Sequence, residues 1–158
     1  MKRCHWVNIN NPIYVEYHDH EWGVPSHDDY YLFEMLLLES FQAGLSWECI
    51  LNKREAFRTS FDNFNYEIIA HYDEQKVSEL MRNESIIRNR LKIKAAINNA
   101  KIFISIRDTY GTFDHYIWSF TEGKMMKGNG RDTTSSLSDK ISLDLKRYGM
   151  KFVGSTII

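Results

Sequence analysis

Two cysteines and two prolines in 158 residues rule out several classes of protein at once. Cys4 and Cys49 cannot build the multi-bridge framework that staples small secreted domains, so an intracellular, reducing setting is expected. Long apolar runs are lacking too. The stretch around Leu36, Leu37 and Leu38 is closed by Glu34 and Glu39, far short of the roughly 20 residues of a membrane span, and no apolar signal segment follows Lys2 and Arg3. Nor does one sign of charge dominate: 20 basic and 21 acidic side chains leave a net charge of -1, so any nucleic-acid surface must be local. What is present is 43% apolar and 14% aromatic side chains, enough for one core in a single domain over residues 1–158.

Helical periodicity dominates from about residue 29, and no strand pair with a tight turn stands out, so the expected class is all-α. Asp28 or Asp29 is placed to cap a helix running to about Gln42, and Ser46 to cap the next through Trp47, Ile50 and Leu51, with Gly44 as the break. Asn65 and Asp73 are read as caps of two short helices, the second with Val77, Leu80 and Met81 inward. A long helix then carries Ile93, Ile97, Ala100 and Ile104 on one stripe and ends before Gly111. Thr112 or Asp114 begins a short helix holding Tyr116, Ile117 and Phe120. Residues 121–136 read as a surface loop. Ser138 is expected to cap a last helix with Ile141, Leu145 and Tyr148 on one side, and Gly149 to take the left-handed position after it.

Residues 1–28 form an aromatic arm, too irregular for one helix, in which Trp6, Tyr14, Tyr17 and Trp22 either pack over the body or line a site for a planar ligand. Glu39 shares a helix face with Leu32, Leu36 and Ala43. It is either a solvated edge or a buried carboxylate suited to a cationic, donor-rich ligand. Trp47 starts the following helix nearby, as a core residue or as a platform for a heterocycle. Arg82, Arg88, Arg90, Lys92 and Lys94, and again Lys140, Lys146, Arg147 and Lys151, are solvated helix faces or a local DNA surface. From Gly149 to Thr156, two glycines enclose an apolar turn that either joins two elements or aims backbone N–H groups, with a helix start at Ser155 or Thr156, at phosphate. Cys4 and His18 carry metal-ligating side chains, half of a site at most.

Arg3-Cys4-His5-Trp6, Tyr17 to Pro25, Leu32 to Met35, Gln42 to Trp47, Trp118-Ser119-Phe120 and Lys151 to Gly154 stand in an order and spacing that resembles the bacterial 3-methyladenine DNA glycosylase I family of helix-hairpin-helix proteins. The resemblance covers essentially the whole chain. It implies a base pocket with Glu39 as the reading carboxylate and electrostatic catalytic group, and Trp47, Tyr17, Tyr14, Trp6 and Trp22 as its walls. It implies DNA contacts from Leu45, which fills the gap left by the lesion, and from Gly149, Lys151, Val153, Gly154 and Ser155, with residues 137–156 as the first hairpin helix and hairpin.

The implied reaction is hydrolysis of the N-glycosidic bond of 3-methyladenine in double-stranded DNA by a monofunctional glycosylase, without an organic cofactor or reliance on an aspartate after the hairpin. The other function left open is an inactive module that binds damaged or abasic DNA. The family further implies a monomer of the bacterial cytoplasm, acting at the nucleoid with no membrane partner. It also implies a structural zinc ion held by Cys4, His18 and one further His and Cys in a tail. Only Ile157 and Ile158 follow Thr156 here, so the second hairpin helix and that tail are expected to be missing from these 158 residues.

Overall fold

Short polar side chains set most helix starts. In the computed structural model, which describes residues 2–158, Asn11 accepts from the Ile13 amide and Pro12 opens α1 (Pro12–His20). A helix therefore stands inside the arm expected to be irregular. Its signal was the Asn-Pro pair followed by Tyr14, Tyr17 and His18, spaced three and four apart and all buried. Asp28 caps α2 (Asp29–Gln42) and Ser46 caps α3 (Trp47–Asn52), as expected. α4 (Arg54–Ser60) follows after Lys53 without a side-chain cap.

Asp62, Asn63 and Phe64 then take φ values of 49°, 54° and 57°, a run of left-handed residues that sterics penalise by roughly 1–2 kcal/mol each. Two anchors hold it: Phe64 is buried beneath the Arg58 guanidinium, 5.2 Å from the ring centroid, and the Tyr72 hydroxyl donates to Asp62. Asn65 and Asp73 cap α5 (Tyr66–Ile69) and α6 (Glu74–Arg82). Val77 and Leu80 are buried, Met81 only in part.

The central element is α7 (Arg90–Tyr110), capped by Asn89. Ile93, Ile97 and Ala100 line its inner stripe as expected, but Phe103 and Ile106 continue it while Ile104 is half-buried. Ideal geometry at 3.6 residues per turn would keep Ile104 on the stripe, but the packing turns at this point toward Phe113, on which Phe103 stacks at 4.1 Å. Thr112 caps α8 (Phe113–Ser119), and the segment up to Ser135 contains no helix. In α9 (Ser136–Arg147) the cap is Ser135, with Ser138 closing a capping box three residues on; the expected cap is thus the reciprocal partner. Tyr148, expected inward, is exposed, because it follows the last helical turn.

No strand occurs among the described residues, so the all-α expectation holds. Phe33, Leu38, Phe41, Phe57 and Phe103 sit in the main core between α2, α4 and α7, each burial worth about 1.5–3 kcal/mol. A second, smaller cluster joins Tyr14 and Tyr17 of α1 to Leu51 of α3, with Trp6, Met35 and Trp47 against it. Among the described residues no helix is long and apolar enough to cross a membrane.

Candidate base pocket and nucleic-acid interface

Glu39 stands on α2 one turn beyond Met35, a side chain that belongs to the smaller aromatic cluster. Burial pushes its carboxyl up to about 7, and it has no hydrogen bond or ion pair with any described residue. Tyr14 and Tyr17 are pushed up first by their own burial and then by negative neighbours, Glu39 among them, so these phenols lie within its field. Trp47 meets Tyr17 edge-on at 5.5 Å, and its buried Nε1 has no partner. Leaving such a donor unmade costs about 1–3 kcal/mol, which a ligand that supplies an acceptor would recover. A carboxyl and an indole N–H, both unpartnered and flanked by rings, suit a flat polar heterocycle.

Of the expected walls, the structure thus groups Tyr14, Tyr17 and Trp47 with Glu39. Trp6 bridges outward, 5.6 Å from Tyr14 and 5.2 Å from Trp22, while Trp22 stacks on His18 at 5.5 Å and belongs to the far side. An apolar cleft of about 410 Å³ opens along the same flank of α2, lined by Leu32, Met35, Val24, Trp118 and Leu137. Met35 joins cleft and cluster; it lies in the Leu32 to Met35 motif, but an apolar residue on a helix reads from the sequence as core.

The hairpin is built quite differently. Gly149 at φ 99° ends α9 with its N–H donating to the Lys146 carbonyl at 3.0 Å, and the Met150 N–H reaches the Leu145 carbonyl at 3.1 Å, the paired closure that needs a left-handed residue. Asn99 of α7 then clasps Lys151 from both sides, donating to its carbonyl and accepting from its N–H, each at 2.9 Å. Asn98 donates to the Gly149 carbonyl at 2.9 Å, Ser142 to the Val153 carbonyl at 2.7 Å, and the Ser138 and Ser155 hydroxyls meet at 2.7 Å. The Ile157 and Ile158 amides both return to the Gly154 carbonyl, so a helical turn starts there, close to the expected Ser155.

Lys151 is exposed, whereas Val153 is buried at 1% exposure: its side chain is core, which excludes the direct side-chain contact with DNA. Lys140, Lys146 and Arg147 are exposed alongside. Arg90 and Lys94 are instead drawn to Glu74, at 3.2 and 2.7 Å. Lys92, grouped with them in the sequence, is no surface residue at all. It is buried, and its ammonium donates to the Phe41 and Ala43 carbonyls at 2.8 and 2.5 Å. Between these carbonyls and α3, Gln42 braces the loop by accepting from the Leu45 N–H at 2.7 Å and donating to the Leu45 carbonyl at 2.6 Å. The Leu45 side chain is left 39% exposed.

Cys4 and His18 are neighbours, with the Cys4 N–H donating to His18 Nε2 at 3.3 Å. His18 Nδ1 lies 2.8 Å from Asp19, a contact that favours a proton on Nδ1 and leaves the Nε2 lone pair to accept from the Cys4 N–H. Hydrogen bonds from Arg3, then His18, hold the Asp19 carboxyl down at about 2. Among the described residues no three His, Cys, Asp or Glu side chains cluster as a metal site requires. The Cys4 thiol and the His18 imidazole are the donor types of half a tetrahedral zinc site, and Nε2 would have to give up the Cys4 N–H to serve as a ligand.

A profile of the methyladenine glycosylase family matches residues 6–158. The chain belongs to this family. It is 41% identical over 162 residues to DNA-3-methyladenine glycosylase 1 of Escherichia coli (strain K12), covering 99% of this chain and 86% of that protein. The fold superposes with a TM-score of 0.92 on a crystal structure of 3-methyladenine DNA glycosylase I, at 42% identity over 99% of this chain and 88% of the other. A tyrosine-to-phenylalanine variant of 3-methyladenine DNA glycosylase I in complex with 3-methyladenine gives 0.91, at 36% identity, over 99% and 87% of the two chains.

For a methyladenine glycosylase, one structural support joins two of the motifs through residues outside them. Arg54 bridges Glu21 at 2.8 Å and Glu34 at 2.7 Å, Arg58 adds a second bond to Glu34 at 2.8 Å, and the Tyr31 hydroxyl donates to Glu21 at 2.9 Å. The network pins the end of α1 to α2 and α4, and so holds Tyr17 opposite Trp47. Its signals in the sequence were Glu21 and Glu34, each inside a motif quoted above, the latter a charge set beside Phe33 on the buried side of α2.

Proposed function

We propose that this methyladenine glycosylase removes 3-methyladenine from alkylated double-stranded DNA with Glu39, Trp47, Tyr17 and Tyr14 as its base pocket and Trp6 and Trp22 as outer walls. The observation that carries the assignment is that the Glu39 carboxyl and the buried Trp47 Nε1, both without a partner among the described residues, share Tyr17 as a neighbour. Methylation at N3 makes the attached adenine a cation. The bond from C1′ to N9 breaks with its electron pair going to the base, which leaves neutral. Water oxygen adds to C1′, its proton goes to solvent, and an abasic deoxyribose remains. The extruded cation stacks on the rings, donates to Glu39 and favours its ionised form. That negative charge then opposes the positive charge developing on the sugar.

Leu45 fills the vacated place in the duplex, and Lys151 with the backbone N–H groups from Gly149 to Ser155 holds phosphate without reading sequence. Cys4 and His18 supply half of a zinc site that a further His and Cys complete; when bound, the ion fastens the arm to the body. The enzyme works as a cytoplasmic monomer. Purified protein incubated with methylated duplex should release 3-methyladenine and leave undamaged adenine in place. Retention of abasic duplex with no release above a protein-free control would instead favour the binding-module reading. Intact mass combined with metal analysis tests the zinc assignment: a chain carrying all four ligands that retains no zinc would overturn it.

A further inference from the structure

Lys92 is a cation in an odd place. It is 7% exposed, and no carboxylate lies within ion-pair reach of it among the described residues; its partners are the last two free carbonyls at the end of α2 and the face of Phe152, 5.9 Å away in the hairpin. Carbonyl dipoles at a helix C-terminus and an aromatic face do favour a cation. Yet a buried ammonium is costly to desolvate, and an apolar side chain of the same shape is often at least as stable. Gly44, at φ 79°, already turns the chain after α2, so the helix end does not require a lysine. What the ammonium adds is a fixed direction for the Phe41 and Ala43 carbonyls, and hence for the loop that presents Leu45.

Seven residues further along the same face of α7, Asn99 clasps Lys151, with Asn98 holding Gly149 beside it. One rigid helix thus grips the Leu45 loop and the hairpin at points about 10 Å apart along its axis. Phe152 touches both attachments: its ring lies on the Lys92 side and its backbone follows Lys151, in a left-handed conformation with φ 55°.

We infer that Lys92 is a positioning residue that sets the register between the Leu45 wedge and the phosphate-holding hairpin, so that filling the duplex and gripping its backbone occur together. This rests on the DNA-excision reading above. It is tested by a readout that needs no turnover: 2-aminopurine beside an abasic site, whose fluorescence rises when a side chain fills the gap. The wild-type protein should give that rise and Leu45→Ala should lose it. Lys92→Met, which keeps the stem and removes the donors, should lose it as well while its affinity for undamaged duplex stays within about twofold.

On methylated duplex, single-turnover excision should fall about tenfold or more in Lys92→Met, with unchanged binding of free 3-methyladenine, and Lys92→Met with Leu45→Ala should be no slower than Leu45→Ala alone. Should the Met variant unfold, Lys92→Gln carries the same comparison with an intermediate loss. A Lys92→Met protein that keeps the full fluorescence rise overturns the inference. So does a matching loss of free-base binding, or losses that multiply in the double variant. A wild-type protein that fills the gap but releases no base sinks the excision reading and leaves the Lys92 assignment to the fluorescence result.

Discussion

At the hairpin, the side chains of Asn98, Asn99, Ser138 and Ser142 all end in hydrogen bonds to the chain itself. Around Glu39 the reverse holds, and the Glu39 carboxyl and the Trp47 N–H have no partner among the described residues. Under the function proposed above, the two regions serve opposite ends of one task. A surface that holds phosphate of any sequence has to present backbone in one shape, and satisfied side chains fix that shape in advance. A pocket that must choose one base keeps its polar groups free so that the correct ligand, and no other, completes them.

This contrast is broken most severely by Glu39→Gln, which should lower excision of 3-methyladenine about 100-fold while leaving affinity for undamaged duplex nearly unchanged. The wild-type kcat/KM should also fall about tenfold per pH unit below about 7, because the free enzyme must have Glu39 ionised, and the substituted protein should lose that dependence. Parallel losses on damaged and undamaged duplex would assign Glu39 to the fold instead.

The same substitution should move stability the other way. With its folded pKa raised to about 7, Glu39 contributes stability through its bound proton below about 4.5, and that contribution is lost as pH rises through about 7. Glu39→Gln should therefore gain on the wild type by on the order of 2–3 kcal/mol in chemical denaturation at pH 8, and by little at pH 4.5. A constant difference at both pH values would show that no buried charge is involved.

On the hairpin side, removing a satisfied group should cost stability and grip together. Asn99→Ala leaves both polar groups of Lys151 unpaired and should weaken binding to any duplex about tenfold, with lesion preference intact. Smallest of all, Lys151→Ala should weaken duplex binding about threefold and lower the slope of affinity against salt by close to one released ion. An unchanged slope would take the Lys151 ammonium off the phosphate, without touching the backbone around it.

Much of this was legible in the sequence because capping chemistry is local: Asp28, Ser46, Asn65, Asp73 and Thr112 each bond an amide two or three residues on. Glu39 and Trp47 were visible because a charge on an apolar face and a tryptophan after a break stand out. The supports did not stand out, since their partners are distant in sequence. Lys92 reads as one of several cations until its ammonium is seen 51 residues back, at the Phe41 carbonyl. Asn99 likewise acts 52 residues away. α1 was hidden by aromatic density, which suits an irregular arm and a short helix equally.

The left-handed run from Asp62 to Phe64 carries a consequence for how the molecule opens. Its handedness is borrowed: the three residues remain on the mirror-image side of the backbone map while the Phe64 ring stays seated under Arg58 and Tyr72 holds Asp62. Once that ring leaves, each residue relaxes toward the hand its own chirality prefers, and the released energy opposes closing again. Amide hydrogens across residues 61–66 are therefore expected to exchange ahead of the flanking helices α4 and α5, making the turn a seam in the protein. An achiral residue at Asn63 would have less hand to recover, and should sew that seam tighter.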